Sequence, residues 1–560
     1  MSSRPGLSSR GARRVSRRPS HRALRVLAAA VTVPLLVTAC GGAPPKPGAD
    51  ESPYAYSGVG VDDDRIDYAI GKVETIVEEE REASGVPGVA VAVVHRGETV
   101  YAKGFGTRGA AGDAPVDGST VFPLGALSTP VSATVAAATF ADAELDWSTP
   151  VRDVLPEFAL ADPRVTPMVT LGDLFAHRSG LPAHAGVDLA DLGLDRGEVI
   201  DRLRHLPSAP LRTTHAYAEG GVTAAAEAVA RSAGTPWAEL ADERLFAPLG
   251  MDGASYVPDA GADPGDDPAS GDRATYHVRA GDAADGAWTP APGHRTPAAL
   301  APARGAFASV TDMARWTAMV MADGRAPGGA EVVPPAALRE ALSPQSVAVP
   351  PATAADRPGA YGYGFALGTT SAGRALWGHP GTVKPGAGAS VLVLPSLELG
   401  IVTLTNAGPV GLAETINSRF ADHAQFGDPT LDWGAVHTAQ TAALLAPVGD
   451  LVGQRPPADP EESRPLDQLT GDYRNPYYGT LRVRCAGETL TLETGRGLGP
   501  TELTHWDADT FAAEGPAASP TGSTWPAGSR GSVTFDDDEV RVDLLDRAGQ
   551  GTFTRIEDAE

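Results

Sequence analysis

Val89-Ala-Val-Ala-Val-Val94 is followed by the corner Arg96-Gly97 and then by Thr99-Val-Tyr-Ala102. A short apolar run, a turn pair and a second run with β-branched and aromatic residues predict an antiparallel hairpin. Upstream, Ile66, Ile70, Val73 and Val77 recur at helical spacing with acids on the opposite face, and Ser84-Gly85 ends that helix. Downstream, the Ala-rich stretch 130–145 carries almost no charge and predicts a helix buried all round. Two further helices are expected over 220–233 and 307–321, the latter capped by Ser309 or Thr311. A second hairpin reads Ser390-Val-Leu-Val-Leu394, a turn at Pro395-Ser396, then Gly400-Ile-Val-Thr-Leu-Thr405, and a last helix covers 412–425. A helix, a hairpin, a helical middle and a returning hairpin imply an α/β sandwich, an antiparallel sheet with helices packed on it.

Beyond this domain, 428–465 reads as a linker, with Pro and acidic residues concentrated in 447–465. Short alternating strands follow at Leu481-Arg-Val-Arg484, Thr489-Leu-Thr-Leu492, Ser532-Val-Thr-Phe535 and Val540-Arg-Val-Asp-Leu544. They predict a small all-β domain over 466–557, a sandwich or a barrel.

The first 40 residues hold eight arginines, no acid and an apolar run of 14 residues from Val26 to Ala39. That run is shorter than the roughly 20 residues that span a bilayer, and the segment has the order of a signal peptide. The string Val37-Thr38-Ala39-Cys40 is similar to the lipobox of bacterial lipoproteins, which implies a lipid on Cys40. Residues 41–61 are rich in Gly, Pro and Ser and read as a flexible tether. The chain is therefore expected outside the cytoplasm, anchored to the cell membrane by acyl chains. Removing eight arginines and no acid takes the net charge from -25 to about -33. Such a surface repels nucleic acid, so no nucleic-acid partner is expected.

Five strings carry a resemblance to a known family. Val86-Pro-Gly-Val-Ala-Val-Ala-Val-Val94, Phe122-Pro-Leu-Gly125, Leu174-Phe-Ala-His-Arg-Ser-Gly-Leu181, Phe246-Ala-Pro-Leu-Gly-Met251 and His379-Pro-Gly381 occur in order. Over 62–427 the chain resembles the serine β-lactamase and penicillin-binding protein family, in the class C and D-Ala-D-Ala peptidase branch. The resemblance implies acyl transfer: a Ser nucleophile, a Lys one helical turn later, a Tyr from a second motif, and a Lys or His followed by x-Gly on an edge strand that can hold a substrate carboxylate.

Residue by residue the match is mixed. Ala126 stands at the nucleophile position of Phe122-Pro-Leu-Gly-Ala-Leu-Ser-Thr129, and Thr129 stands at the lysine position. The second motif keeps Tyr217 but has Glu219 at its asparagine position, while His379-Pro380-Gly381 is intact. The residual catalytic candidates are Tyr217 and His379, with His379 and Gly381 as ligand-binding candidates. A shifted register does not restore the pair. The residues three before Lys46, Lys72, Lys103 and Lys384 are Ala43, Ala69, Val100 and Gly381, so no Ser-x-x-Lys occurs. Ser128, two positions on, would project about 200° away on a helix.

Beside these, Glu219 reads as a solvated loop acid in preference to an inward-facing acid that would repel substrate carboxylates, His177 as a core or turn residue, and Lys384 as a loop lysine. No His-Glu-x-x-His, Cys cluster or phosphate-cradling loop is present, so no metal or cofactor is expected. Two functions follow. One is a non-catalytic binding or regulatory protein facing peptidoglycan peptides or similar ligands. The other is an active serine hydrolase (a β-lactamase, D-amino peptidase or esterase) using another nucleophile such as Ser128.

Overall fold

The computed structural model describes residue 52 and residues 55–109, 114–257, 272–279, 286–291, 296–383, 386–494, 499–515 and 525–556. The signal segment, Cys40 and Lys384 lie outside these residues.

Helix α1 (Asp63–Ser84) starts where the Asp62 carboxylate accepts the Arg65 N–H, and ends at Gly85 in the left-handed region, φ 66°. Strands β1 (Gly88–His95) and β2 (Glu98–Gly106) form the first hairpin. They join β3 (Ser346–Val349), β4 (Gly359–Tyr361), β5 (Ala366–Thr369), β6 (Ala375–Val383), β7 (Ala387–Leu394) and β8 (Leu399–Thr405) in one antiparallel sheet, in the order β2-β1-β8-β7-β6-β5-β4-β3. The returning hairpin thus places β8 directly against β1, with Val91 opposite Thr403.

Val89, Val91 and Val93 pack on one face of β1 with Ile66, Val73 and Val77 of α1. Ile416 and Phe420 of the last main-domain helix lie in the same layer. Ala90, Ala92 and Val94 face the larger core on the other side. Burial on both faces is why this strand is a continuous apolar run rather than an alternating one. The larger core holds helix α2 (Ser128–Ala143), helix α3 (Glu219–Ala233) and helix α4 (Val310–Met321). Helix α4 begins with a reciprocal cap between Ser309 and Asp312, and residues 307–309, expected as the start of the helix, belong to a short strand, Ala306–Ser309. Helix α5 (Leu412–Phe426) closes the domain.

The expected linker 428–465 contains a helix, α6 (Trp433–Leu445). Asp432 caps it, Trp433 donates its indole N–H to Asp422 at 2.8 Å, and Trp433 stacks on His437. Its Ala- and Thr-rich sequence has little amphipathic pattern, so nothing marked it as helical. Part of the remaining stretch lies against the all-β domain: Leu451 is buried with Trp506 and Ala512.

The all-β domain is a closed barrel of eight antiparallel strands, from Gly471–Asn475 to Thr552–Arg555. It meets the main domain through adjacent tyrosines. The Tyr477 and Tyr478 hydroxyls lie 2.8 and 2.5 Å from the two oxygens of Asp188, the Gly186 N–H donates to Tyr477 Oη, and Arg202 donates to the Tyr477 carbonyl. Burial raises the Asp188 carboxyl pKa, and the two tyrosine hydrogen bonds oppose that rise. Among the described residues no helix is long and apolar enough to cross a membrane.

Candidate functional site

The short turn Gly125–Leu127 leads into α2 and lies against β6. The contact is backbone to backbone. A Cβ on Gly381 would sit 2.2 Å from the Leu124 carbonyl oxygen, and one on Gly125 would sit 2.6 Å from the Thr382 carbonyl oxygen. Gly125 also has φ +53°, so the turn needs glycine for both reasons. Between two buried neighbours, Ala126 is partly exposed. Its methyl group has no atom that can attack a carbonyl.

β6 is an interior strand in the sheet order, not the edge strand that the resemblance implies. It pairs with β7 over 377–383, but with β5 only over 375–378. The half carrying His379-Pro380-Gly381 therefore has an open outer side, as an edge strand would.

Thr129 lies one helical turn beyond Ala126 and is fully buried. Its hydroxyl donates to the Ala303 carbonyl at 3.3 Å, so the Tyr217 hydroxyl, 2.8 Å away, is the donor in the Thr129–Tyr217 contact. Burial and the Glu219 charge hold the Tyr217 hydroxyl well above its ordinary pKa, which keeps it a neutral donor.

Tyr217 stands in a group of rings. Its centroid is 4.1 Å from that of His177, 6.0 Å from that of His379 and 6.4 Å from that of Tyr361. His379 is saturated: Nδ1–H donates to the Pro380 carbonyl at 2.6 Å and Nε2 accepts from the Tyr361 hydroxyl at 2.7 Å. Burial lowers its pKa to about 4, so the ring is neutral near pH 7. The resemblance implies an electropositive carboxylate holder there, and this imidazole is neither charged nor open. His177, read as a core or turn residue, is buried with φ +53° and accepts the Ala218 N–H at Nδ1. It supports the second motif directly.

Ser128 lies away from Ala126. It is fully buried, and its Oγ accepts the Ala306 N–H at 2.9 Å. That contact ties α2 to the short strand 306–309, and among the described residues no base is hydrogen-bonded to the hydroxyl.

Glu219 is not the solvated loop acid preferred from its sequence but is buried, as in the alternative reading of an inward-facing acid. It is the first residue of α3, only 6% exposed, and accepts a hydrogen bond from His184 Nδ1 at 3.2 Å. The hydrogen bond and charge of Glu219 raise the His184 pKa. Burial pushes the Glu219 carboxyl up, but His184 and the Arg304 charge outweigh it and hold it below its ordinary value. His184 and Arg304 were missed in sequence. For Arg304 the signal was there, a single cation inside the otherwise apolar run 299–308.

The structure thus brings together Ala126, Thr129, Tyr217, His379 and Glu219, with His177, His184, Tyr361 and Arg304 around them. The site holds hydroxyls committed to one another and to Ala303 and His379, a neutral His379 imidazole and a charged margin.

Comparison with known proteins bears on the family and the fold. The β-lactamase family model matches residues 73–425. A domain of unknown function (DUF3471) matches residues 455–546. The unguisins hydrolase UngD of Aspergillus violaceofuscus is 25% identical over 428 residues, 71% of this chain and 73% of that protein. Penicillin-binding protein 4 of Amycolatopsis lactamdurans is 28% identical over 405 residues, 69% of this chain and 93% of that protein. The solved structure of the octameric penicillin-binding protein homologue from Pyrococcus abyssi superposes with a TM-score of 0.55 at 17% identity, covering 87% of this chain and all of that one, a likeness of fold.

Proposed function

The chain belongs to the β-lactamase family, and from that premise we propose that it is a non-catalytic member, a cell-envelope lipoprotein that binds peptidoglycan peptides or similar ligands without turning them over. One observation carries this. At the position of the attacking oxygen there is the methyl group of Ala126, and at the lysine position Thr129 is engaged with Tyr217 and Ala303. Acyl transfer needs an attacking atom and a base as a unit, and removing members of such a unit costs about a thousandfold to a millionfold in rate. Ser128 does not supply the atom, because its hydroxyl holds the Ala306 N–H inside the core. The ring centroids of Tyr217 and His379 lie 6.0 Å apart, and their neighbourhood supports a ligand site that outlasts the chemistry.

The test is intact mass after incubating the mature protein with a labelled penicillin and with a fluorophosphonate. No adduct is expected. A stoichiometric adduct would overturn the proposal. Ala126→Ser with Thr129→Lys is expected to gain acylation. The lipid is tested separately: the N-terminal peptide from a membrane fraction should carry a diacylglycerol on Cys40, and an unmodified Cys40 would remove the anchor.

A further inference from the structure

We infer that a groove between the end of α1 and the strand pair His277–Arg279 and Trp288–Pro290 binds a small organic anion, an oxyanion carried on a flat apolar body, through Arg81 and Arg279. The groove is distinct from the cleft around Tyr217. Trp288 packs with the α1 layer on one face of β1, whereas α2 lies in the core on the other face.

The strand pair is short but pinned to the domain on two sides. The His277 N–H donates to the Asn406 carbonyl at 2.9 Å, just past β8, and the Trp288 indole N–H donates to the Ser84 carbonyl at 3.1 Å, in the last turn of α1. Arg279 lies directly opposite Trp288 in the pairing, and its guanidinium carbon sits 4.8 Å from the Trp288 ring centroid. The helix end comes close to the same ring, so that a Cβ on Gly85 would stand 3.8 Å from the indole. These segments bound a groove of about 820 Å³, the size of a small-molecule site.

Two cations line the groove, and neither is neutralised. Arg81 and Arg279 are both half-buried, and the Nε of each is shielded from solvent without an acceptor. Among the described residues the Arg81 guanidinium has no hydrogen bond and no ion pair, and that of Arg279 donates only to the Ser84 carbonyl, at a long 3.4 Å. Other arginines with a buried Nε spend their outer nitrogens on protein oxygens: Arg196 on Glu227, Arg244 on Asp142 and Arg374 on Val59. The acids near Arg81 do not serve it. Glu79 and Glu80 bind Arg419, while Glu82 lines the groove but is exposed and pairs with neither arginine. The carbonyl end of α1 favours one cation nearby, which accounts for Arg81 but not for a second guanidinium brought in from the strand pair. A buried N–H without an acceptor is costly, and a guanidinium fork fits a carboxylate or phosphate. One oxyanion in the groove would supply the missing acceptors, and Ala83, Pro87 and Trp288 give its body an apolar wall.

The experiment is calorimetric titration of the full mature chain with 2-naphthoate, with 2-naphthyl phosphate and with the neutral 2-naphthamide. At least one anion is expected to bind at least about tenfold more tightly than the amide, the usual scale for a charge-assisted hydrogen bond. A tighter phosphate assigns the ligand as a phosphate ester, and a tighter carboxylate assigns it as a carboxylic acid. In Arg81→Gln the anions and the amide should bind within about twofold of one another, with an unchanged thermal midpoint because no internal bond is lost. Arg81→Lys should restore part of the preference, as a point charge without the fork. Arg279→Gln should lose the preference as well, which places the anion between the two arginines. Binding of neither anion, affinities equal to that of the amide, or a preference that survives either glutamine variant would each overturn the proposal.

Discussion

The hydroxyl of Thr129 lies 2.8 Å from the hydroxyl of Tyr217. The residue at the lysine position still meets the second-motif tyrosine, but the contact has changed in kind. An amine there could accept a proton and carry charge. A threonine hydroxyl already donating to the Ala303 carbonyl can only accept the tyrosine's proton in a hydrogen bond. The pair now fixes the position of Tyr217 and moves no charge.

That pair should be measurable as a coupling. Thr129→Val removes the acceptor for a buried hydroxyl and is expected to destabilise the fold by about 1–3 kcal/mol. Tyr217→Phe should cost less, because Thr129 keeps Ala303. A double-mutant cycle in urea unfolding should give a coupling of about 1 kcal/mol. Additive single effects would mean that the two hydroxyls are not bonded in solution.

Ser128→Ala separates a structural hydroxyl from a nucleophile. It strands the buried Ala306 N–H and should lower stability by about 1–3 kcal/mol. Labelling by a fluorophosphonate should be the same in both proteins, namely absent. A native chain that labels, with the label lost in Ser128→Ala, would assign the chemistry to Ser128.

The His184–Glu219 pair predicts a pH window. His184 has a raised pKa, so its stabilising contribution is complete below the ordinary value of 6.5 and is lost as pH rises through the folded value. Glu219 has a lowered pKa, so its contribution is complete above the ordinary 4.5 and is lost as pH falls through the folded value. The stability difference between the native chain and Glu219→Gln should therefore be largest between pH 4.5 and 6.5 and shrink on both sides. Urea titrations across that range and beyond test it, and a pH-independent difference would contradict the pairing.

Tyr478→Phe tests the seam between barrel and main domain. It removes one of the two tyrosine hydrogen bonds to the buried Asp188 carboxylate and should cost about 1.5–3 kcal/mol. The same change should raise the Asp188 pKa further, because the Tyr478 hydrogen bond is what opposes burial most. Carboxyl NMR of Asp188 reads that shift directly, and no movement would mean that the hydroxyl does not reach the carboxylate.

Much of this was legible in sequence because it is local. The two hairpins, helix α1 and the Ala-rich helix α2 announce themselves through apolar period and turn residues, and the motif strings place Ala126, Tyr217 and His379. What was not legible depends on distant partners. Glu219 looked solvated because its partner His184 lies 35 positions away and approaches only after folding. The charge state of His379 is set by burial and its Nε2 is occupied by Tyr361, neither visible in His379-Pro380-Gly381. Helix α6 was hidden because its apolar residues mark no clear face.

The glycine contacts between the Gly125–Leu127 turn and β6 separate shape from reactivity. At Gly125 and Gly381 the two main chains come so close that a Cβ on either glycine would meet a carbonyl oxygen of the other segment. A lineage could therefore exchange serine for alanine and lysine for threonine without moving the walls of the cleft. In a scaffold of this kind, catalysis can disappear through two side-chain replacements while recognition persists, and each then evolves under its own selection.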